Sequence, residues 1–335
     1  MLIEVIVPAS LPLGLVKLNV DGQETLGWLG LTLQQPRVEL SAQAAPGLNI
    51  TGPRADAAHP RAARFFDHHQ RPPRGHVVIE YALPRAMGLS SEAMLGLGVA
   101  RSLAWVNGLP LDDTPALAQA IGLGPEQGLA LHGFARGGLL LVEAQPAAGA
   151  LPRLLRRAEI AHPDPTAWVI DFYLTPTPTE TPAGFQAERH AALLAAAPHL
   201  SAETGRLVDE QLWPAVAQDD LPAFAAALMA LQAHNEAALA AAGRQLPLTV
   251  ADRRLLDLMR VEGALAHGRT ATGLALFGLV RGAPASQVLR RKLNDAVGFF
   301  AGTVMASITD NRGATHIEKD ASQEDERFRP IRMRE

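Results

Sequence analysis

Val77-Val78-Ile79-Glu80-Tyr81, then Pro84-Arg85-Ala86-Met87-Gly88-Leu89-Ser90-Ser91-Glu92-Ala93, then an apolar run through Leu97, Val99 and Leu103: the reading of this stretch decides the fold. Residues 77–81 have the β-branched and aromatic make-up of a strand, and residues 91–106 read as an apolar helix. A Gly/Ser turn from strand to helix aims backbone N–H groups and hydroxyls at one point, beside the positive end of the helix dipole. That is an anion site, and phosphate is its natural guest. The plainer reading of one glycine and two serines is turn and cap chemistry alone. Gly88, Ser90 and Ser91 are the candidate phosphate ligands. Glu92 puts a carboxylate beside the expected anion, which repels phosphate unless a metal or proton intervenes. Ser91 and Glu92 are accordingly the candidate metal ligands, with Mg2+ as the ion.

Outward from this junction, the first half alternates short β-like runs (1–7, 27–33, 37–40, 77–81, 138–143) with helix-like ones (57–69, 91–106, 114–122), an α+β pattern. The Pro/Ala/Gly stretch 145–152 has no periodicity and reads as a linker, placing one domain at 1–150 and a second at 151–317. In the second, 168–174 and 271–280 read as strands and the Pro/Thr run 175–182 as a loop. Ala-rich helices are expected at 186–196, 203–216, 221–241 and 251–265, then a helix at 286–299 and a strand at 303–309. Charge dominates from Glu318, so 318–335 reads as a mobile tail.

The bulk composition narrows the function classes. With 335 residues, 48% hydrophobic and 19% charged, the chain has enough apolar content for two cores. A net charge near −4 and 5% aromatics, with no basic stripe, exclude nucleic-acid binding as an expectation. Cysteine is absent, which removes disulfides, thiolate catalysis and Cys-based metal sites. The apolar start lacks a basic leader and no run reaches about 18 uninterrupted apolar residues, so no membrane span is expected and the cytoplasm is the default. Lysine occurs only at Lys17, Lys292 and Lys319, which makes Lys17 conspicuous.

The Pro84-to-Gly88 spacing resembles the phosphate-loop motif of the GHMP kinase superfamily, where a proline is followed four residues later by Gly-Leu-Gly-Ser-Ser; Ser90 stands at the second glycine. Further segments, in order, resemble one branch, the β-ribofuranosylaminobenzene 5′-phosphate synthase family of tetrahydromethanopterin biosynthesis. They are Leu13-Gly14-Leu15 with Leu18-Asn19 and Gly30-Leu31-Thr32-Leu33 with Pro36, then His132-Gly133-Phe134-Ala135-Arg136-Gly137-Gly138, with Ala135 in place of the family's glutamate. Gly268-Arg269-Thr270-Ala271-Thr272-Gly273 and Asp310-Asn311-Arg312-Gly313-Ala314 follow. The resemblance implies a two-domain fold with a left-handed βαβ unit at the phosphate loop and a ferredoxin-like second domain. It also implies condensation of 5-phosphoribosyl 1-diphosphate with a 4-substituted benzoate, releasing diphosphate and carbon dioxide, with no organic cofactor.

Such a transfer passes through a cation-like sugar and needs donors for the leaving diphosphate. Lys17 adds positive charge if the opening hairpin folds over the loop; otherwise it is a solvated lysine. Arg136, between glycines, suits a carboxylate or phosphate held by both nitrogens, or is a surface arginine in a hairpin. His132 shuttles a proton or is structural. Asn311 and Arg312 are candidate substrate ligands or plain turn residues. Glu188 binds substrate or serves the start of a helix. His59, Asp67, His68, His69 and His76 invite a metal reading, but neighbours at 67–69 face different sides of a helix end. The rivals are an ATP-dependent kinase of small molecules, which residues 131–138 disfavour because they carry no carboxylate base, and a non-catalytic phosphate-ligand-binding protein. Partners are small-molecule substrates, with a homodimer compatible with the sequence.

Overall fold

The computed structural model describes residues 1–20, 22–176, 184–298 and 302–320. In chain order the elements are β1 (Leu2–Val20), β2 (Gln23–Gln43), β3 (Leu48–Thr51), α1 (Ala55–His69), β4 (Gly75–Tyr81), α2 (Ser91–Val106), α3 (Thr114–Ala120), α4 (Gly128–Arg136), β5 (Leu139–Glu143) and β6 (Leu154–Ala158). There follow β7 (Trp168–Leu174), α5 (Phe185–Ala196), α6 (Glu203–Arg206) joined through a π-helical segment to α7 (Trp213–Ala217), α8 (Leu221–Ala241), α9 (Val250–Val261), β8 (Ala266–Arg269), β9 (Leu276–Arg281), α10 (Ala283–Val297), β10 (Thr303–Ser307) and β11 (Thr315–Lys319).

The strands expected at 1–7, 27–33 and 37–40 are parts of one long hairpin. Prolines and glycines that read as strand ends are absorbed instead by irregularities between Val7 and Ala9 and between Pro12 and Gly14, since a bulge lets a ladder continue past a residue that cannot pair. β1 and β2 are buried on both faces along most of their length, because α2 and α4 cover part of them and α6 and α8 another part. β2 serves two partners in succession: Glu39–Gln43 meets β4 and Gly27–Leu31 meets β5. The sheet runs β11-β1-β2-β4-β3, with β5 on β2 and β6 on β5. Residues 145–152 therefore join two strands of the same sheet, and β11, which takes in Glu318 and Lys319, returns to its far edge. The rest of the tail, 321–335, and residues 177–183 of the Pro/Thr loop lie outside the described residues.

The second sheet runs β10-β7-β9-β8. The single strand expected at 271–280 is instead a hairpin, with residues 270–275 as its turn. Thr270 and Gly273 break what composition alone reads as a continuous apolar run. α9 and α10 cover one face through Leu255, Met259, Leu289 and Leu293 against Val169 and Leu276. α8 covers the other, where Phe224 lies 4.9 Å from the ring of Trp168. The two layers are tied by Asn235 of α8. It accepts from the Leu15 N–H at 2.9 Å and donates to the Leu15 carbonyl at 3.0 Å, both bonds buried.

Among the described residues no helix is long and apolar enough to cross a membrane. Asp171 sits fully buried in the middle of the second sheet, accepting from the Ser286 hydroxyl at 2.7 Å with Arg290 at 3.5 Å. Burial outweighs both partners and pushes its carboxyl up to about 6.

Asn235→Ala removes both bonds across the layers and strands buried backbone groups, so stability should fall by about 2–4 kcal/mol in denaturant melts. Asp171 contributes to pH dependence with a defined sign. Its folded-state value lies above the unfolded one of about 3.9, so the folded state holds the extra proton, and the group's contribution is complete below pH ~4 and lost as pH rises to ~6. Asp171→Asn should flatten that part of the stability-against-pH curve, a difference of roughly 3 kcal/mol.

Candidate functional site

The loop between β4 and α2 carries three left-handed residues, Ala86 (φ 63°), Gly88 (φ 74°) and Ser90 (φ 54°). The carbonyls face inward and are consumed: Ala86 O accepts from Leu274 N at 2.9 Å, and Met87 O from the Thr270 hydroxyl at 2.8 Å and Ala275 N at 3.4 Å. Leu89 O accepts from Ser10 N on β1 at 3.4 Å. The N–H groups of Ser90, Ser91, Glu92 and Ala93 have no acceptor among the described residues. These are the free donors of a helix start. The β8–β9 turn presses so closely that a Cβ on Gly88 would meet the Thr270 hydroxyl at 2.5 Å and Gly273 N at 2.7 Å.

Ser90 is half-buried at the helix start and makes no capping bond of its own. Ser91 is fully buried, and its hydroxyl has no partner. Glu92 is turned aside. Its carboxylate lies 3.6 Å from Nη2 of Arg54, whose Nη1 donates to Leu83 O at 2.8 Å. Burial lowers the Arg54 pKa and the Glu92 charge opposes that. The repulsion expected between Glu92 and an anion is thus offset by a neighbouring guanidinium. Among the described residues no three His, Asp or Glu side chains gather as a metal cluster.

Four other sequence candidates sit on β1, α4 and α5. Lys17 is five residues beyond Pro12 along β1, about 17 Å at strand rise; its Nζ pairs with Glu24 at 3.5 Å and its N–H donates to the Thr204 hydroxyl at 3.0 Å. Residues 132–136 form the end of α4, and Gly137 and Gly138 lead into β5, so the segment is not a hairpin. Gly133 lies within the helix, where a Cβ would come 3.0 Å from the Thr32 hydroxyl. Within α4, the His132 Nε2–H donates to Pro152 O at 2.8 Å; burial and then the Arg136 charge lower its pKa against that bond. Arg136 is exposed at the end of α4, and Glu188 is exposed in the first turn of α5.

Arg136, Asn311 and Arg312 do come together. Gly138 N donates to Asp310 O at 2.6 Å and Ala314 N to Phe134 O at 2.8 Å. Asn311 brackets the backbone of Ile160 with bonds of 3.1 and 2.8 Å, and Arg157 Nη2 donates to Asn311 O at 2.7 Å and Arg136 O at 3.0 Å. Asn311 is therefore occupied structurally, while Arg136 and Arg312 project from this interlock into solvent. It sits six residues, about 9 Å of helix, from the part of α4 that faces the phosphate loop.

What faces the loop was not marked in the sequence. A hollow beside Ser90 is lined by Thr272, Glu126, Ala130, Gln186, His190 and Trp28. Glu126 stands in the turn just before α4, so the absence of a carboxylate from 131–138 does not leave the site without one. A signal did exist in Gly124-Pro125-Glu126, a carboxylate at a helix start. Trp28, Gln186 and His190 carried none, being ordinary members of a strand and a helix. His190 meets Trp28 edge to face at 4.5 Å, and its pKa is lowered by burial against the Glu126 charge. Next to the hollow along β1 and the β8–β9 turn lies a cleft of about 640 Å³ bordered by Gly14, Asn235, Leu239, Arg253 and Ala271.

Two packed sheets, with a left-handed Gly/Ser loop opening α2, make the fold that of the GHMP kinases. Solved structures of this fold cover nearly the whole chain at low identity. Galactokinase of Lactococcus lactis, complexed with galactose, is 14% identical over 94% of this chain and 95% of its own, with a TM-score of 0.62. Homoserine kinase of Cytophaga hutchinsonii is 14% identical over 94% and 97%, TM-score 0.56. A 4-(cytidine 5′-diphospho)-2C-methyl-D-erythritol kinase is 20% identical over 92% and 99%, TM-score 0.57. No protein-family profile and no curated protein sequence matches the chain.

Gly88→Ala should displace the β8–β9 turn from the loop, since both the positive φ and the contact at Thr270 resist a methyl group. Binding of inorganic diphosphate, read by calorimetry, is expected to weaken at least tenfold, and stability to drop by about 1–3 kcal/mol.

Proposed function

We propose that the chain is a transferase that holds a phosphorylated donor at loop 86–91, and that its reaction is condensation of 5-phosphoribosyl 1-diphosphate with a 4-substituted benzoate. The observation that carries this reading is the interlock of two separate resemblance segments: 133–138 and 310–314 are bonded backbone to backbone. A third, 270–273, packs against Gly88. Segments that match a family in order and also meet in space argue for a common architecture more strongly than either fact alone.

In this reading the N–H groups of 90–93 take the charge that develops on the departing diphosphate, stabilising it where it forms. The benzoate ring carbon bearing the carboxylate attacks C1 of the ribose as the C1–O bond to diphosphate breaks. Loss of the carboxylate as carbon dioxide then returns the electron pair to the ring. No proton has to leave that carbon. Mg2+, which is held largely by substrate phosphates in such sites and neutralises their charge, fits here through the buried, partnerless hydroxyl of Ser91.

A second reading, an ATP-dependent kinase of a small alcohol, is favoured by one observation. Glu126 lines the hollow beside Ser90, where a carboxylate is placed to take a proton from an attacking hydroxyl. The solved structures of like fold are also described as kinases.

The two separate in one pair of assays. Phosphoribosyl diphosphate with 4-aminobenzoate or 4-hydroxybenzoate should release diphosphate and carbon dioxide, while γ-labelled ATP with sugars, polyols and amino alcohols should give no labelled product. Glu126→Gln should cost the synthase less than tenfold in kcat, because no proton transfer to it is required. Phosphoryl transfer from ATP that falls a hundredfold or more in Glu126→Gln would install the kinase instead.

A further inference from the structure

Three residues that line one hollow each carry a buried nitrogen without a hydrogen-bond partner: Nε1 of Trp28, Nε2 of Gln186 and Nε2 of His190. Trp28 is 3% exposed and His190 8%. Leaving such groups unpaired costs about 1–3 kcal/mol each, so native proteins pair nearly all of them. That three come from a strand and a helix distant in sequence, and border the same space beside the phosphate loop, calls for a ligand.

The donors define its chemistry. An indole N–H and an amide NH2 can only donate, so the guest must present acceptor oxygens. Burial holds the His190 pKa below its usual value, which leaves the ring neutral near pH 7 and able to donate through one nitrogen. No lysine or arginine lines the hollow, and Glu126 does. A diphosphate or phosphate dianion would meet a carboxylate with no cation to offset it. A singly charged carboxylate meets less repulsion from Glu126 than a dianion does and is served by neutral donors, so it fits the hollow of about 40 Å³ better.

We propose that Trp28, Gln186 and His190 form a carboxylate-binding pocket for the acceptor substrate, next to the donor at Ser90. The proposal deepens the synthase reading and rests on it for the identity of the acid. Neutral donors and the apolar neighbours Leu129 and Ala130 solvate a carboxylate less well than water does. The pocket thus favours its conversion to neutral carbon dioxide over its retention.

The test follows the indole N–H signals of 15N-labelled protein, four in all, with that of Trp28 identified by its loss in Trp28→Phe. Should that variant not fold, the signal perturbed by Gln186→Leu identifies it. Titration with benzoate and 4-hydroxybenzoate should move the Trp28 signal, and phenol should not. Gln186→Leu should weaken benzoate binding about tenfold without changing the melting temperature. A signal that stays put with every acid means that water alone pairs these nitrogens and overturns the proposal. So does a signal that moves equally with phenol, or only with inorganic diphosphate. Response to benzoate in a protein that releases no diphosphate from phosphoribosyl diphosphate would discard the synthase reading and leave the carboxylate pocket standing.

Discussion

The contact on which the site depends is the backbone clamp between residues 86–88 and the 270–275 turn. Three bonds, from Thr270, Leu274 and Ala275, take up the carbonyls of Ala86 and Met87. With those carbonyls occupied, the loop stays in a conformation with positive φ at Ala86 and Ser90, where residues with a Cβ are strained. The strain is held by the β8–β9 turn of the second sheet, and the amides at the start of α2 remain without an acceptor. Glycine at 88 and 273 lets the two backbones approach this closely. The second sheet, its helices and the Asn235 tie to Leu15 serve to hold that turn in place.

Much of this was legible in the chain. The strand, turn and helix of residues 77–106 announce themselves because periodicity, composition and turn residues agree there, and the family resemblance carried by that stretch and the later segments implied the two-domain fold. The long hairpin was less legible: Pro8, Pro12 and Gly14 look like strand ends until bulges accommodate them, and a bulge has no periodicity of its own. The 270–275 turn hides in an apolar run for the converse reason. Its role is set by what it touches 180 residues away, which no local pattern records.

The candidate site divides along the same line. Gly88, Ser90 and Ser91 were marked as candidates because their chemistry is written in consecutive residues. Arg136 and Arg312 were found as a motif, and the fold does bring them together, but at the far end of α4. Glu126, Gln186, His190 and Trp28 face the loop because the turn before α4, helix α5 and strand β2 converge there. A lone histidine in a helix and a tryptophan in a strand carry no sign of that in sequence.

Hydrogen exchange with and without phosphoribosyl diphosphate shows whether the clamp and the helix start together hold the proposed donor. The account predicts that peptides covering 86–94 and 268–276 slow together on addition of the ligand, the first by direct bonding and the second through the clamp. Slowing confined to the 310–314 and 133–138 segments, with 86–94 unchanged, would place the donor at the arginine interlock and contradict the account.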